Sequence, residues 1–414
     1  MASPVAFFRN IALTTPNTGG QTSTVGEPSV GTEGQNVFFT GNWYASRSAD
    51  DAATWQFVNP FTALPSADGG FCCDQTVIPV AGRPLMIWIL QYIEKNGTNT
   101  LRIAVNRGTN LGAGWVFWDL QPAGVDPAWA GEWFDYNHAA LSDNFLYVGT
   151  NMFTVAGDQW TRAVVFRLPL SGFDPGASLT YEYFESTENF SLRCSEGATS
   201  TMHIVSHNTL SQIRVFSWPE SANQLTAVDV DVSPWLTGNY SAPGPDGRNW
   251  MGRCDPRITG VWVAGGRIGV MWSANRRLPQ RPFPYVRVVR LDEATKALID
   301  EPDIWNAAFA YAYPDAYPNG SGNVGVTMFR GGGPHHPSHL VGFRDDGANA
   351  WRLRVTRSGT NGPTDGKWGD YLTCRRHAPQ PNTWVAAGYT LQGGGERQNI
   401  QPRYVHFGRR ADTT

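Results

Sequence analysis

The sequence predicts an all-β chain folded as a closed ring of repeated sheets, a β-propeller. One observation is a polar-and-acidic mark that recurs ahead of short apolar runs. It stands at Glu27-Pro28-Ser29, Asp74-Gln75-Thr76, Asp135-Tyr136-Asn137, Glu196-Gly197-Ala198, Asp255-Pro256-Arg257 and Asp370-Tyr371-Leu372. Successive marks are 47, 61, 61 and 59 residues apart, and the last interval, 115, is about two units. A repeat of this length filled with short strands is how propeller blades appear in a sequence, one blade per repeat. The second observation is composition: 17 Trp, 14 Tyr and 21 Phe beside 45 Gly and 28 Pro suit many strands joined by tight turns. The third is the lack of any sustained helical periodicity; Glu293-Ala294-Thr295-Lys296-Ala297-Leu298 is one turn long and reads as a hairpin tip.

Taken in order, the strands fall into seven blades. Blade one holds Ser29-Val30, Asn36-Val37-Phe38-Phe39-Thr40 and Trp43-Tyr44-Ala45-Ser46-Arg47. Blade two holds Ile87 to Tyr92 and Leu101 to Val105, and ends at Trp115-Val116-Phe117-Trp118. Phe145 to Val148 and Ala163 to Phe166 belong to blade three, Met202 to Val205 and Gln212 to Phe216 to blade four, and Arg267 to Trp272 and Tyr285 to Val289 to blade five. Blade six has Leu340 to Phe343 and Trp351 to Val355, with its opening mark expected near Asn319 to Asn323, where no clean acid stands. Blade seven runs from Trp368-Gly369-Asp370-Tyr371 through Trp384 to Phe407. The expectation is one domain over residues 1–414, with blades of four antiparallel strands opening near residues 27, 74, 135, 196, 255, 321 and 370. Val5 to Leu13 supplies the strand that closes the ring and so protects an edge open to other chains.

Composition removes some partners. The net charge is −3 and basic residues are scattered, which leaves no footprint for nucleic acid. No apolar run reaches membrane-spanning length. Met1-Ala2-Ser3-Pro4 shows neither a basic n-region nor an apolar h-region, so the extracellular or periplasmic placement expected of a secreted protein requires a leader already removed. A monomer is expected. Of the five Cys, Cys72 and Cys73 are adjacent and Cys194, Cys254 and Cys374 are far apart. Small buried hydrophobes, a disulfide that could join the two neighbours, and a thiolate metal site all stay open, although no CxxC spacing supports zinc.

Ser48-Ala49-Asp50-Asp51-Ala52-Ala53-Thr54-Trp55 resembles the Asp box, S-x-D-x-G-x-T-W, of the sialidase-like (BNR-repeat) propellers, with Ala52 in place of Gly. The W-G-D-Y start of blade seven is similar to the closing blade of secreted bacterial propellers of that type. The resemblance implies a peripheral hairpin whose Ser and Asp satisfy backbone N–H groups and whose Trp packs between blades. For a sialidase it further implies a Tyr nucleophile, a Glu that activates it, an Asp acid/base and three Arg gripping a carboxylate. Tyr371 beside Asp370, Tyr136 beside Asp135, and Glu196 are the residues available for these roles. Phe8-Arg9-Asn10-Ile11 stands where the family often shows Arg-Ile-Pro, and Asn10 interrupts that signature.

In a ring, equivalent blade positions converge on one axis, and that gives the candidate site. Asp135, Tyr136, His138, Glu196, Asp255 and Tyr371 are the candidate catalytic residues. Glu27, Asp74, Arg193, Arg253, Arg257, Asp370 and Arg375 are the candidates for holding substrate, with Arg376 also close in sequence. Carboxylates gathered this closely raise one another's pKa or recruit Arg or a cation, so a structural Ca²⁺ is the one cofactor considered. A Tyr136/His138 pair with Arg nearby is also what β-elimination of an acidic sugar needs, and seven-bladed polysaccharide lyases use such a pair. His335-His336-Pro337-Ser338-His339 reads as a solvent-facing loop, with a transition-metal site as the alternative. The function expected is a secreted carbohydrate-active enzyme, a lyase or glycosidase taking an acidic glycan in the axial funnel. A non-catalytic, lectin-like or partner-binding propeller and a metal- or redox-dependent enzyme are the other readings.

Overall fold

A computed structural model describes residues 4–108 and 110–413. They form seven sheets, each of four antiparallel strands. The innermost strands are Ser29–Glu33, Phe71–Pro79, Glu132–Leu141, Arg193–Cys194, Ile258–Ala264, Ala310–Pro318 and Thr373–Arg376. The second, third and fourth strands of each sheet follow outward in chain order, apart from the last sheet. There the outer strand is Ala6–Ala12, antiparallel to Ile400–Gly408, so the two ends of the chain share one blade and the ring closes.

The blades stay together because each sheet is apolar on both faces. Strands buried on both sides read as continuous apolar runs, and Met86–Tyr92 and Trp384–Leu391 are buried along their whole length. Aromatic rings fill the wedges between neighbouring sheets. Phe38 of blade one meets Trp88 of blade two edge-on at 5.1 Å, and Trp55 of blade one lies 5.7 Å from Tyr404 of blade seven. The Ser48 to Trp55 segment turns the chain between the third and fourth strands of blade one. The Ser48 hydroxyl accepts from the Ala52 N–H (2.9 Å), and Asp50 accepts from the Thr54 N–H (2.8 Å) and hydroxyl (2.6 Å).

Two expectations need correction. Blade six does not open near residue 321. Its first strand is Ala310–Pro318, and Asn319 to Asn323 is the turn that follows, closed by the Asn319 N–H on the Asn323 carbonyl (2.8 Å). His335 begins a strand, His335–Asp345, and His339 is fully buried between the Thr327 (2.7 Å) and Thr356 (2.8 Å) hydroxyls. The histidine run lies along a pleated strand, so its side chains do not converge as loop ligands would. No group of three metal-ligating residues exists among the described residues. Residues 293–297 do form a hairpin tip, with Lys296 at φ 61°.

Candidate functional site

The inner strands all run in the same sense through the ring, so their starting ends meet at one mouth. That mouth collects Glu27, Asp74, Asp135, Tyr136, Arg253, Asp255, Arg257, Asp370 and Tyr371. Arg257 ties it together: one guanidinium nitrogen lies 2.6 Å from Asp255 and 3.2 Å from Asp370, and the guanidinium carbon sits 3.8 Å over the Tyr136 ring. Arg253 also reaches Asp370 (3.2 Å) while its side chain stays 46 % exposed. Tyr136 in turn meets the Tyr371 ring edge-on at 5.9 Å.

Local backbone geometry places these side chains. In blade three the pairing slips between Asp135 and His138, and Tyr136 in that bulge takes φ 56°. Bulges re-aim side chains, and this one swings the phenol onto Arg257. Blade six repeats the device at Tyr313 (φ 55°), whose hydroxyl donates to the Trp368 carbonyl at 3.1 Å. Left-handed backbone at a non-glycine residue costs about 1–3 kcal/mol and persists only where its surroundings offset that cost; both tyrosines are buried.

Beside the arginines is a carboxyl pair. Glu27 and Asp74 are both buried and share a hydrogen bond. Burial first, then the neighbouring Asp74 and Asp370, pushes Glu27 well above the ordinary carboxyl range. Burial and the nearby Asp135 charge raise Asp74 to about 7. Burial and like charge keep both carboxyls protonated to a higher pH than ordinary carboxyls. Asp135 is pushed up mainly by burial, opposed by the Gln91 amide that donates to it at 3.0 Å. Buried Oε2 of Glu27, Oδ1 of Asp370 and Oη of Tyr136 find no hydrogen-bond partner among the described residues.

Four sequence-predicted site residues lie deeper. Glu196 pairs with Arg375, and its backbone joins blade five through Val261 and Val263. Arg193 pairs with Asp315 (3.2 Å), which also accepts the Cys374 N–H (2.8 Å). His138 accepts the Cys194 N–H through Nε2 at 3.3 Å, so Nδ1 carries the proton and the ring has no lone pair left to act as a base. Burial, with Arg193 and Arg375 nearby, holds its pKa well below the usual imidazole value. Below this layer the opposite mouth opens into a depression of about 900 Å³, whose lining includes Tyr317, Arg375 and Arg376. The depression and the Glu27–Asp74 pair are therefore at opposite ends of the ring. Among the described residues, the acids lining the depression are Glu33 and Asp143.

Sequence reasoning missed Asp315, Gln91 and Tyr313. Asp315 was findable, because it stands 60 residues after Asp255 and 55 before Asp370. Gln91 carries no such signal. Cys72 and Cys73 are joined by a disulfide, and Cys194, Cys254 and Cys374 are free and buried.

The sheets and the site together define a seven-bladed β-propeller with an acid- and arginine-lined axial mouth. No family model matches the chain, and no curated protein matches it in sequence. Among solved structures it is similar to a protein of unknown function from Dyadobacter fermentans DSM 18053, at 9 % identity and TM-score 0.48, over 98 % of this chain and 100 % of that one. It is similar to Trypanosoma rangeli sialidase in complex with sialic acid, at 9 % identity and TM-score 0.44, over 97 % of this chain but only 59 % of the sialidase. It is also similar to an α-L-arabinofuranosidase from Fusarium graminearum in complex with an iminosugar inhibitor, at 10 % identity and TM-score 0.45, over 98 % and 99 % of the two chains. At these identities the likeness is one of fold, and chemistry has to be argued from the mouth itself.

Proposed function

We propose that the protein is a glycoside hydrolase working at the acidic mouth of the ring. The observation that carries this reading is the Glu27–Asp74 pair. A carboxyl group with a pKa near 7 stays largely protonated below pH 7 and can hand its proton to a leaving sugar oxygen. Asp74 is assigned that role, with Glu27 tuning it. Asp135, beside it, is the carboxylate that stabilises positive charge developing on the sugar or activates water. Arg257 and Arg253 both pair with Asp370 and keep donors at the rim, and the half-exposed Arg253 suits a sugar carboxylate or a row of hydroxyls. Exposed aromatic rings on loops of the same face, Phe61 stacked on Trp43 and Phe190 against Trp160, offer platforms for sugar rings. The Cys72–Cys73 disulfide fits an oxidising, extracytoplasmic compartment. Elimination is the less favoured chemistry, because His138 has no free base nitrogen.

The test is to incubate the protein with neutral, uronate- and sialate-containing glycans and read released reducing sugar. Release that disappears in Asp74→Asn supports the reading. An inert protein across the whole panel would sink it. The 900 Å³ depression at the far mouth favours a second reading, a binding propeller that takes its ligand there. Glycan binding that survives Asp74→Asn but is lost in Arg376→Ala would select it.

A further inference from the structure

We infer that the Cys72–Cys73 disulfide is the positioning element for Asp74, holding open the bulge that turns its carboxyl toward Glu27. Neighbouring side chains on a regular strand point to opposite faces. A bond between the sulfurs of adjacent residues forbids that alternation, so the pair cannot lie in an ordinary ladder. The pairing of Phe71–Pro79 with Met86–Tyr92 shows the consequence: Phe71 faces Tyr92 and Gln75 faces Leu90, so Cys72, Cys73 and Asp74 stand against Gln91 alone. The bulge is thus built on the disulfide and ends on Asp74. Its far side is pinned as well. The Gln75 amide donates to the Gly41 (2.7 Å) and Tyr44 (3.1 Å) carbonyls and accepts from the Trp88 indole (2.9 Å). Asp74 is held between a covalent constraint on one side and a buried amide on the other.

Blades three and six reach a similar irregularity through Tyr136 and Tyr313 in left-handed backbone. Blade two shows no residue with positive φ between Cys72 and Gln75 and carries the disulfide at that level. Both cysteines are partly exposed, so a small thiol can reach them, whereas the three free cysteines are buried. A dithiol therefore acts selectively. It breaks the Cys72–Cys73 bond, leaves two thiols on the protein and is itself oxidised to a cyclic disulfide.

The experiment labels Asp side chains with ¹³C at Cγ, identifies the Asp74 signal by its absence in Asp74→Asn, and titrates it before and after dithiothreitol. In the disulfide form the midpoint is expected near 7. Reduction should lower it by at least one unit, reoxidation should restore it, and the Cys72→Ser/Cys73→Ser double variant should match the reduced form. Superimposable titrations in the two redox forms would overturn the inference. Loss of the folded circular dichroism spectrum on reduction would do so too, by making the bond a staple of the whole ring. The assignment of Asp74 as an acid rests on the hydrolase reading, but the titration reads the carboxyl directly. Either result can fail without the other.

Discussion

The guanidinium carbon of Arg257 lies 3.8 Å over the Tyr136 ring while one of its nitrogens holds both Asp255 and Asp370. One side chain thereby joins blade three, the loop into blade five and the loop into blade seven across the axis. Its removal should be felt by the whole mouth.

Arg257→Met leaves two carboxylates without their shared cation and should destabilise the fold by about 3–5 kcal/mol, the range for breaking a buried pair. Arg257→Lys keeps the charge but loses the fork and the stacking, and should fall between the two. Urea denaturation midpoints with unchanged m-values check both.

Asp74→Asn removes the proposed proton donor and keeps the volume. Turnover should drop about 10²–10⁴-fold on any glycan the wild type cleaves. The alkaline limb of the wild-type rate profile, expected near pH 7, should be absent from whatever activity remains. A rate profile unchanged in shape would assign the proton to another group.

The pH dependence of stability follows from the direction of the shifts. Asp74 rises from 3.8 to about 7, and Glu196 from 4.5 to about 7, both chiefly through burial. The folded state keeps protons that the unfolded chain releases. Their contribution is fully present below about pH 4 and is lost as the pH rises to about 7, with a slope of up to about 1.4 kcal/mol per pH unit for each group. Subtracting the Asp74→Asn stability curve from the wild-type curve should show that decline, and a flat difference would refute it.

Asp315→Ala leaves Arg193 buried without its partner and the Cys374 N–H without an acceptor. About 3–5 kcal/mol of stability should be lost, with glycan cleavage at the other mouth affected less than by Asp74→Asn. Thermal melting and turnover measured on the same preparation separate the two effects.

Deleting residues 1–12 removes the outer strand of blade seven and leaves Ile400–Gly408 as an open edge. The truncated chain should unfold or self-associate, which light scattering and circular dichroism detect.

The repeat of acidic marks, the all-β composition and the N-terminal closing strand were legible in the chain because they are local patterns copied once per blade. The acids Glu27, Asp74, Asp135, Asp255 and Asp370 were legible for the same reason, and Asp315 would have been, had the interval been measured from Asp255. Tertiary structure alone decided which acids meet. Asp135 precedes its bulge and stays at the mouth, whereas Asp315 follows an equivalent bulge and pairs with Arg193 in the layer below. A strand's own alternation is set by its backbone, but a bulge exists only relative to the partner strand. A one-residue slip there sends a side chain to a different level and a different neighbour. The raised pKa values of Glu27 and Asp74 have the same origin, since they depend on the two blades burying both carboxyls.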